Sequence, residues 1–172
     1  MGLSISVILS DVSRFFGGDL NAVIETARIA DAVGIHQIAV PDHVAVGERT
    51  DLYPGGTWRY AEEEPWGEPL TLLAAIAQAT SNVRLGTSVL LAPLRPALFL
   101  AKQVATLDVL SGGRLDLGIG SGWHAEEFEA SGVPFANRGS RMNDALGACR
   151  ALWRDSPADP HLGDTEPGDY AA

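Results

Sequence analysis

Asp42-His43 is the pair in this sequence best suited to chemistry, a carboxylate beside an imidazole just after an apolar, β-branched run that closes at Pro41. A histidine so placed can donate to a ligand carbonyl or ring, or shuttle a proton near neutral pH. The plainer alternative is a Pro41-Asp42 turn with His43 merely solvated. A second cluster is Gly118-Ile119-Gly120-Ser121-Gly122-Trp123. Gly120, Ser121 and Gly122 would let backbone N–H groups approach a ligand closely, ahead of a helix with a positive end. The cluster fails as a dinucleotide fingerprint, because Trp123 stands where the third glycine is needed and no acidic residue ends a following strand. Its alternative is a tight turn between strand and helix. Trp123 offers a flat apolar surface for a ring, or else serves the core or a lid.

Thr87-Ser88, followed by Val89, places two hydroxyls inside an otherwise apolar run. Buried hydroxyls need hydrogen-bond partners, so the pair either bonds to nearby backbone or marks a bulge turned towards a ligand. His36 reads as a core or interface residue, and His124 is open to either a structural or a functional role. No two histidines have metal-ligand spacing and Cys149 is the only cysteine, so no metal site is expected.

The elements that must position these residues alternate regularly. Ile5 to Leu9 suits a buried parallel strand. Asp19 can cap a helix with Leu20, Val23, Ile24, Ala27 and Ala30 on one face, stopped by Gly34. Ile35 to Val40 forms the second strand, and a long polar loop runs from about Asp42 to Gly67. Pro69 opens a helix carrying Leu70, Leu73, Ala74 and Ala77. Val83 to Leu91 is the third strand, and Pro96 opens a helix that Gly112-Gly113 ends. Leu115 to Ile119 is the fourth strand, and a short turn from Ala125 to Ala130 follows it. The last helix carries Met142, Ala145, Leu146, Cys149, Leu152 and Trp153 on one stripe. Residues 155–172 are rich in acid and proline and are expected to be a poorly ordered tail.

Four strand–helix units imply a parallel sheet with right-handed crossovers. An open doubly wound sheet and a (β/α)8 barrel both satisfy that pattern, and in both the site lies at the C-terminal ends of the strands. That rule independently selects Ser10-Asp11, Asp42-His43, Leu91 to Pro93 and Gly120 to Gly122. A complete barrel takes roughly 250 residues and eight strands. The sequence, with 172 residues, supplies four strand–helix units over 1–154, an incomplete TIM (β/α)8 barrel.

A formal charge of −10 argues against nucleic acid or an anionic membrane as partner. No apolar run approaches the ~20 residues of a membrane span. The N-terminus has no basic stretch before its apolar one, and a single cysteine fits a reducing compartment. A cytoplasmic protein acting on a small molecule is expected.

Several segments together resemble the bacterial-luciferase-like (LLM class) flavin and deazaflavin oxidoreductases. They are Pro41 to Val44, Val83 to Val89, Ala101 to Asp108, Ser111 to Gly118, Gly120 to Trp123, Glu127-Phe128 and Gly132 to Phe135. The resemblance runs from about Leu3 to Trp153 and looks closest to the branch that uses coenzyme F420, with FMN as the alternative cofactor. It implies a TIM barrel, hydride transfer carried by the cofactor, and a ring at the strand mouths. It implies that His43 is the acid/base and that Asp42 orients it or contacts the ligand. It further implies a non-prolyl cis peptide at Ser88-Val89 supporting the ring, with Thr87 beside it and Gly120, Ser121, Gly122 and Trp123 lining the same pocket. Some deazaflavin members carry a glutamate just after the fourth-strand glycines; Trp123 stands there, so no catalytic glutamate carries over.

The family's later strands, which grip the cofactor phosphate, have no counterpart in these four units. Three expectations follow: a fragment of an ordinary F420-dependent enzyme, a homodimer of half-barrels, or a non-catalytic interaction module. All three follow from the apolar strand edges and helix flank that a four-strand half-barrel would expose.

Overall fold

The computed structural model describes residues 3–154. The acidic tail expected at 155–172 lies outside the described residues. The elements run β1 (Ser6–Ile8), α1 (Val12–Phe16), α2 (Leu20–Ala32), β2 (Gln37–Val40), α3 (Pro69–Ala79), β3 (Arg84–Thr87), β4 (Leu90–Leu91), α4 (Ala97–Ser111), β5 (Leu115–Asp116), β6 (Ile119–Gly120), α5 (Ala125–Ala130) and α6 (Arg138–Arg154). β1, β2, β3 and β5 pair side by side, all parallel, and β4 pairs with β6.

Strand periodicity sorts the sheet into two unlike faces. Ile38, Val40 and Leu85 point to one face and are buried with Val23, Leu73, Ile76, Leu100 and Val104 from the helices. The opposite face carries Ile8, 53% exposed, and a polar row. In that row Ser6 Oγ donates to Gln37, Gln37 Nε2 donates to Asp116 at 2.7 Å, and the Arg84 guanidinium grips Asp116. A doubly wound sheet buries both faces under helices. Here one apolar face is covered and the other is open, the arrangement of a partial (β/α)8 barrel.

The helix ends follow the chemistry of their residues. Asp19 accepts from Asn21 N at 2.8 Å to start α2, and Glu68 accepts from Thr71 N at 2.7 Å ahead of Pro69 in α3. Arg114 gathers the carbonyls of Ala77, Thr80 and Val83, so one guanidinium closes α3 and fixes the start of β3. Asp31, at the end of α2, accepts from Ser81, Asn82 and Val83 N in the same junction.

Three local expectations change. The third strand is not continuous; it breaks at Ser88-Val89, whose peptide is cis, and the fourth breaks opposite it. Gly118 O accepts from Thr87 Oγ1 at 2.6 Å and from Leu90 N at 2.8 Å, so both strands shift register together. α1 occupies a stretch for which the sequence predicts no element; its first N–H groups, on Val12 and Ser13, are satisfied by the Glu64 carboxylate. His36 is exposed just before β2, which overturns the core place expected for it and does not bear on the interface alternative.

Candidate active site

β2 ends by delivering Asp42 and His43 to the strand mouths, and the two side chains diverge. Asp42, 4% exposed, accepts from Leu91 N at 2.8 Å and from both terminal nitrogens of Arg95 at 2.6 and 3.2 Å. Arg95 extends the chain of contacts to Leu91 O and Glu68. The flanking carboxylates hold its guanidinium above its ordinary range, against the opposing effect of burial, which is the largest single influence. The expectation that Asp42 orients His43 therefore gives way. Asp42 ties the end of β2 to β4 and to the turn before α4.

Glu127 orients His43. His43 Nδ1 lies 3.3 Å from Glu127 Oε2, while Oε1 accepts from Val44 N at 2.5 Å and Ala45 N at 3.3 Å. Glu127 is 1% exposed, so all these partners are supplied by the protein rather than by water. An ionised carboxylate only accepts, which places a proton on Nδ1. Nε2, with no hydrogen bond among the described residues, is left as acceptor in the neutral ring and donor in the imidazolium. That is the geometry of an oriented acid/base.

The imidazole sits edge-on among indoles, with ring centroids 4.7 Å from Trp66, 5.7 Å from Trp58 and 6.0 Å from Trp123. These rings, with Tyr53 and Tyr60, wall a cavity of about 250 Å³ whose floor is Pro41, Asp42, Ser88, Val89, Leu91 and Gly122. Val89 is 42% exposed although it lies between two buried strand segments.

Asp42, His43, Ser88, Val89, Gly122 and Trp123 are thus brought together, while Thr87, Gly120 and Ser121 are not among the lining residues. Thr87 is buried behind the floor and spends its hydroxyl on Gly118 O. Gly120 serves packing: a Cβ there would lie 2.4 Å from Val89 Cγ2. Gly122 combines φ +80° with a Cβ position 2.6 Å from the Phe128 ring, so no other residue fits the turn. His124, 1% exposed, accepts from Gly47 N through Nε2 and fastens the long loop. Among the described residues no three His, Cys, Asp or Glu side chains converge to hold a metal ion.

Sequence reasoning missed Glu127, Arg95 and the four loop aromatics. The aromatics left a signal, since Tyr53, Trp58, Tyr60 and Trp66 are out of place in a polar surface loop. Glu127 left none beyond its presence in the resembling segment; its partners are over 80 residues away in the chain.

Fold and site together define part of an α/β barrel, with a histidine and an apolar slot at the strand mouths. The family model for luciferase-like monooxygenases matches residues 8–169, and the chain belongs to that family. It is 34% identical over 137 residues to the F420-dependent glucose-6-phosphate dehydrogenase of Amycolatopsis mediterranei, covering 76% of this chain and 37% of that one. It is 31% identical over 134 residues to the oxygenase component of the flavin-dependent trigonelline monooxygenase of Acinetobacter baylyi, covering 77% and 33%. The crystal structure of monooxygenase RslO1 from Streptomyces bottropensis superposes with a TM-score of 0.70 at 28% identity, covering 88% of this chain and 43% of that one. The chain spans about half the length of the curated relatives it matches first. Its relatives include both F420-dependent and flavin-dependent enzymes. No helix of the described residues is long and apolar enough to cross a membrane.

Proposed function

We propose that this chain forms the ring-side half of an F420-dependent oxidoreductase that moves hydride between the deazaflavin and a small organic substrate, in the cytoplasm. The observation that carries this reading is the Glu127-held His43, with Nε2 unbonded among the described residues, beside a slot at the strand mouths. The slot fits a flat ring, because Val89 and Leu91 give it an apolar floor and Trp58, Trp66 and Trp123 give it apolar walls. Among the described residues no Lys or Arg lines it, so these residues suit the ring rather than a phosphate-bearing tail.

The cofactor, when bound, supplies the two-electron hydride chemistry. The chain's own residues do the rest. His43 Nε2 takes the proton from a substrate hydroxyl during oxidation and returns it during reduction. Glu127 keeps the imidazole in the competent tautomer and stabilises the imidazolium. Asp42 and Arg95 hold the end of β2 against β4, and the aromatic loop excludes water from the slot.

An FMN-dependent monooxygenase is the second reading, favoured by the flavin-dependent relative. Titrating the chain with F420 and with FMN, following cofactor fluorescence, separates the two. Saturable but weak F420 binding is expected, since the slot lacks a cationic phosphate anchor. Preference for FMN would reassign the cofactor, and binding of neither would overturn the reading.

A further inference from the structure

We propose that residues 50–63 form a lid that opens and closes over His43 as one body, hinged on α5 at one end and on α1 at the other, with Trp58 as its latch. This rests on the function proposed above only for what the lid admits. The limb leading into the segment is fastened from the start of α5. Glu127 takes the N–H groups of Val44 and Ala45, His124 Nε2 that of Gly47 at 3.1 Å, and Glu126 Oε2 that of Arg49 at 3.2 Å. The limb lies so close to α5 that a Cβ on Gly47 would collide with the Glu126 carboxylate. Just past the segment, the buried Glu64 carboxylate accepts from Val12 N and Ser13 N of α1.

Between these anchors the bonding changes in kind. Among the described residues no hydrogen bond or ion pair of residues 50–63 reaches outside 48–64. Its backbone bonds close local turns, as from Tyr53 N to Thr50 O at 3.1 Å and from Gly56 N to Tyr53 O at 3.2 Å, and Asp51 pairs with Arg49. Rings hold the segment down instead. Tyr53 lies 5.3 Å from Trp123, and Trp58 lies 5.6 Å from Trp123 and 5.7 Å from His43. Tyr60 meets Trp66, which follows the Glu64 anchor, at 4.9 Å. Within the segment Trp58 stands 5.2 Å from Tyr53 and 4.9 Å from Tyr60, so the three rings travel together. Buried hydrogen bonds fix the two ends, whereas a ring pair is a weaker and less directional tie. The middle therefore lifts before the ends do, as a lid does on its hinges. His43, whose side chain is 10% exposed, is reached when Trp58 lifts and is shut off from water when it returns.

The test is carbethoxylation of the cofactor-free chain by diethyl pyrocarbonate at one fixed pH, with the rate at each histidine read by peptide mass spectrometry. His36, which is exposed, gives the rate of an open imidazole. His124, buried and bonded at Nε2, reports the anchor. Tyr53→Leu and Tyr60→Leu keep apolar bulk, and among the described residues the rings beside His43 are tryptophans, not these tyrosines. Each variant should raise the His43 rate, relative to His36, about 2- to 10-fold, the shift in lid position that loss of one aromatic pair allows, while His124 stays unreactive. In the unaltered ¹⁵N-labelled chain, the Trp58 indole N–H should show microsecond-to-millisecond exchange that Trp153, bonded to Ala101 O, lacks. An unchanged His43 rate in both variants would mean a static wall, and His124 reacting in step with His43 would mean that the anchored limb leaves too. Either result, His43 as reactive as His36 in the unaltered chain, or no exchange at Trp58 would overturn the proposal; if one variant does not fold, the other and the exchange measurement decide. Failure of the hydride-transfer reading would show instead in the cofactor titration and leave these rates as they are.

Discussion

At the scale of single residues, the site turns on a division of labour between two carboxylates. Asp42 and Glu127 are both buried, yet Asp42 faces a guanidinium and Glu127 an imidazole. Asp42 is held in a paired, structural contact with Arg95, whereas Glu127 is placed against the imidazole of His43. Glu127→Gln therefore tests a positioning role. Gln can still accept from Val44 N, but its amide can present N–H to Nδ1 and favour the wrong tautomer. In the complete enzyme we expect turnover to fall about 10- to 100-fold, the range seen for partners that orient a working histidine. KM should change little, because the substitution keeps the shape of the slot and alters only the orientation of the imidazole. A purely structural role for Glu127 would lower stability and leave kcat per folded molecule unchanged, which urea unfolding and steady-state kinetics would reveal together. The place of His43 at a strand mouth was legible in the sequence, because it directly follows an apolar strand run; its contact with Glu127 was not, because that exists only once the chain after β6 returns over the end of β2.

At the scale of elements, periodicity and caps revealed the four units, while long-range polar contacts decided the details. Glu64 creates α1 by satisfying N–H groups some fifty residues earlier, and no local pattern around Val12 to Phe16 announces it. The breaks in the third and fourth strands are coupled through Gly118 O, so neither is visible in one strand alone. The junction of α2, α3 and β3 shows what such contacts contribute. Burial opposes the charge on Asp31, but the N–H groups of Ser81, Val83 and Asn82, helped by Arg114, outweigh it and hold the carboxyl below its ordinary range. A depressed folded-state pKa contributes stability above the unfolded value, and that contribution is lost as pH falls through the folded one. Asp31→Ala should accordingly cost about 1 kcal/mol near neutral pH, as loss of a cap does. Below about pH 4, where the unfolded carboxyl is already protonated, the difference from the unaltered chain should shrink. Urea unfolding at several pH values checks this; a cost independent of pH down to strong acid would mean the side chain acts through packing rather than charge.

For the whole molecule, the decisive asymmetry is between the two faces of the sheet. A β-strand alternates its side chains, so neighbouring positions can belong to opposite environments. Ile38 is 0% exposed beneath the helices, while Ile8, on a paired neighbouring strand, is 53% exposed on the other face. In the relatives, which are about twice as long, there is further chain beyond the part that this protein matches; here the face bearing Ile8 meets no other described element. The same isoleucine-to-lysine change should thus have opposite consequences on the two faces. Ile38→Lys buries an ammonium without a partner and should cost more than about 4 kcal/mol, leaving little or no folded chain. Ile8→Lys, on an open face, should change stability by no more than about 0.5 kcal/mol. Thermal and urea unfolding of the two variants, at two protein concentrations, measures the contrast. A large, concentration-dependent loss for Ile8→Lys would show that another polypeptide covers this face in solution, since only association makes stability depend on concentration. A near-neutral Ile8→Lys beside a ruinous Ile38→Lys would show that one face suffices to fold these four units.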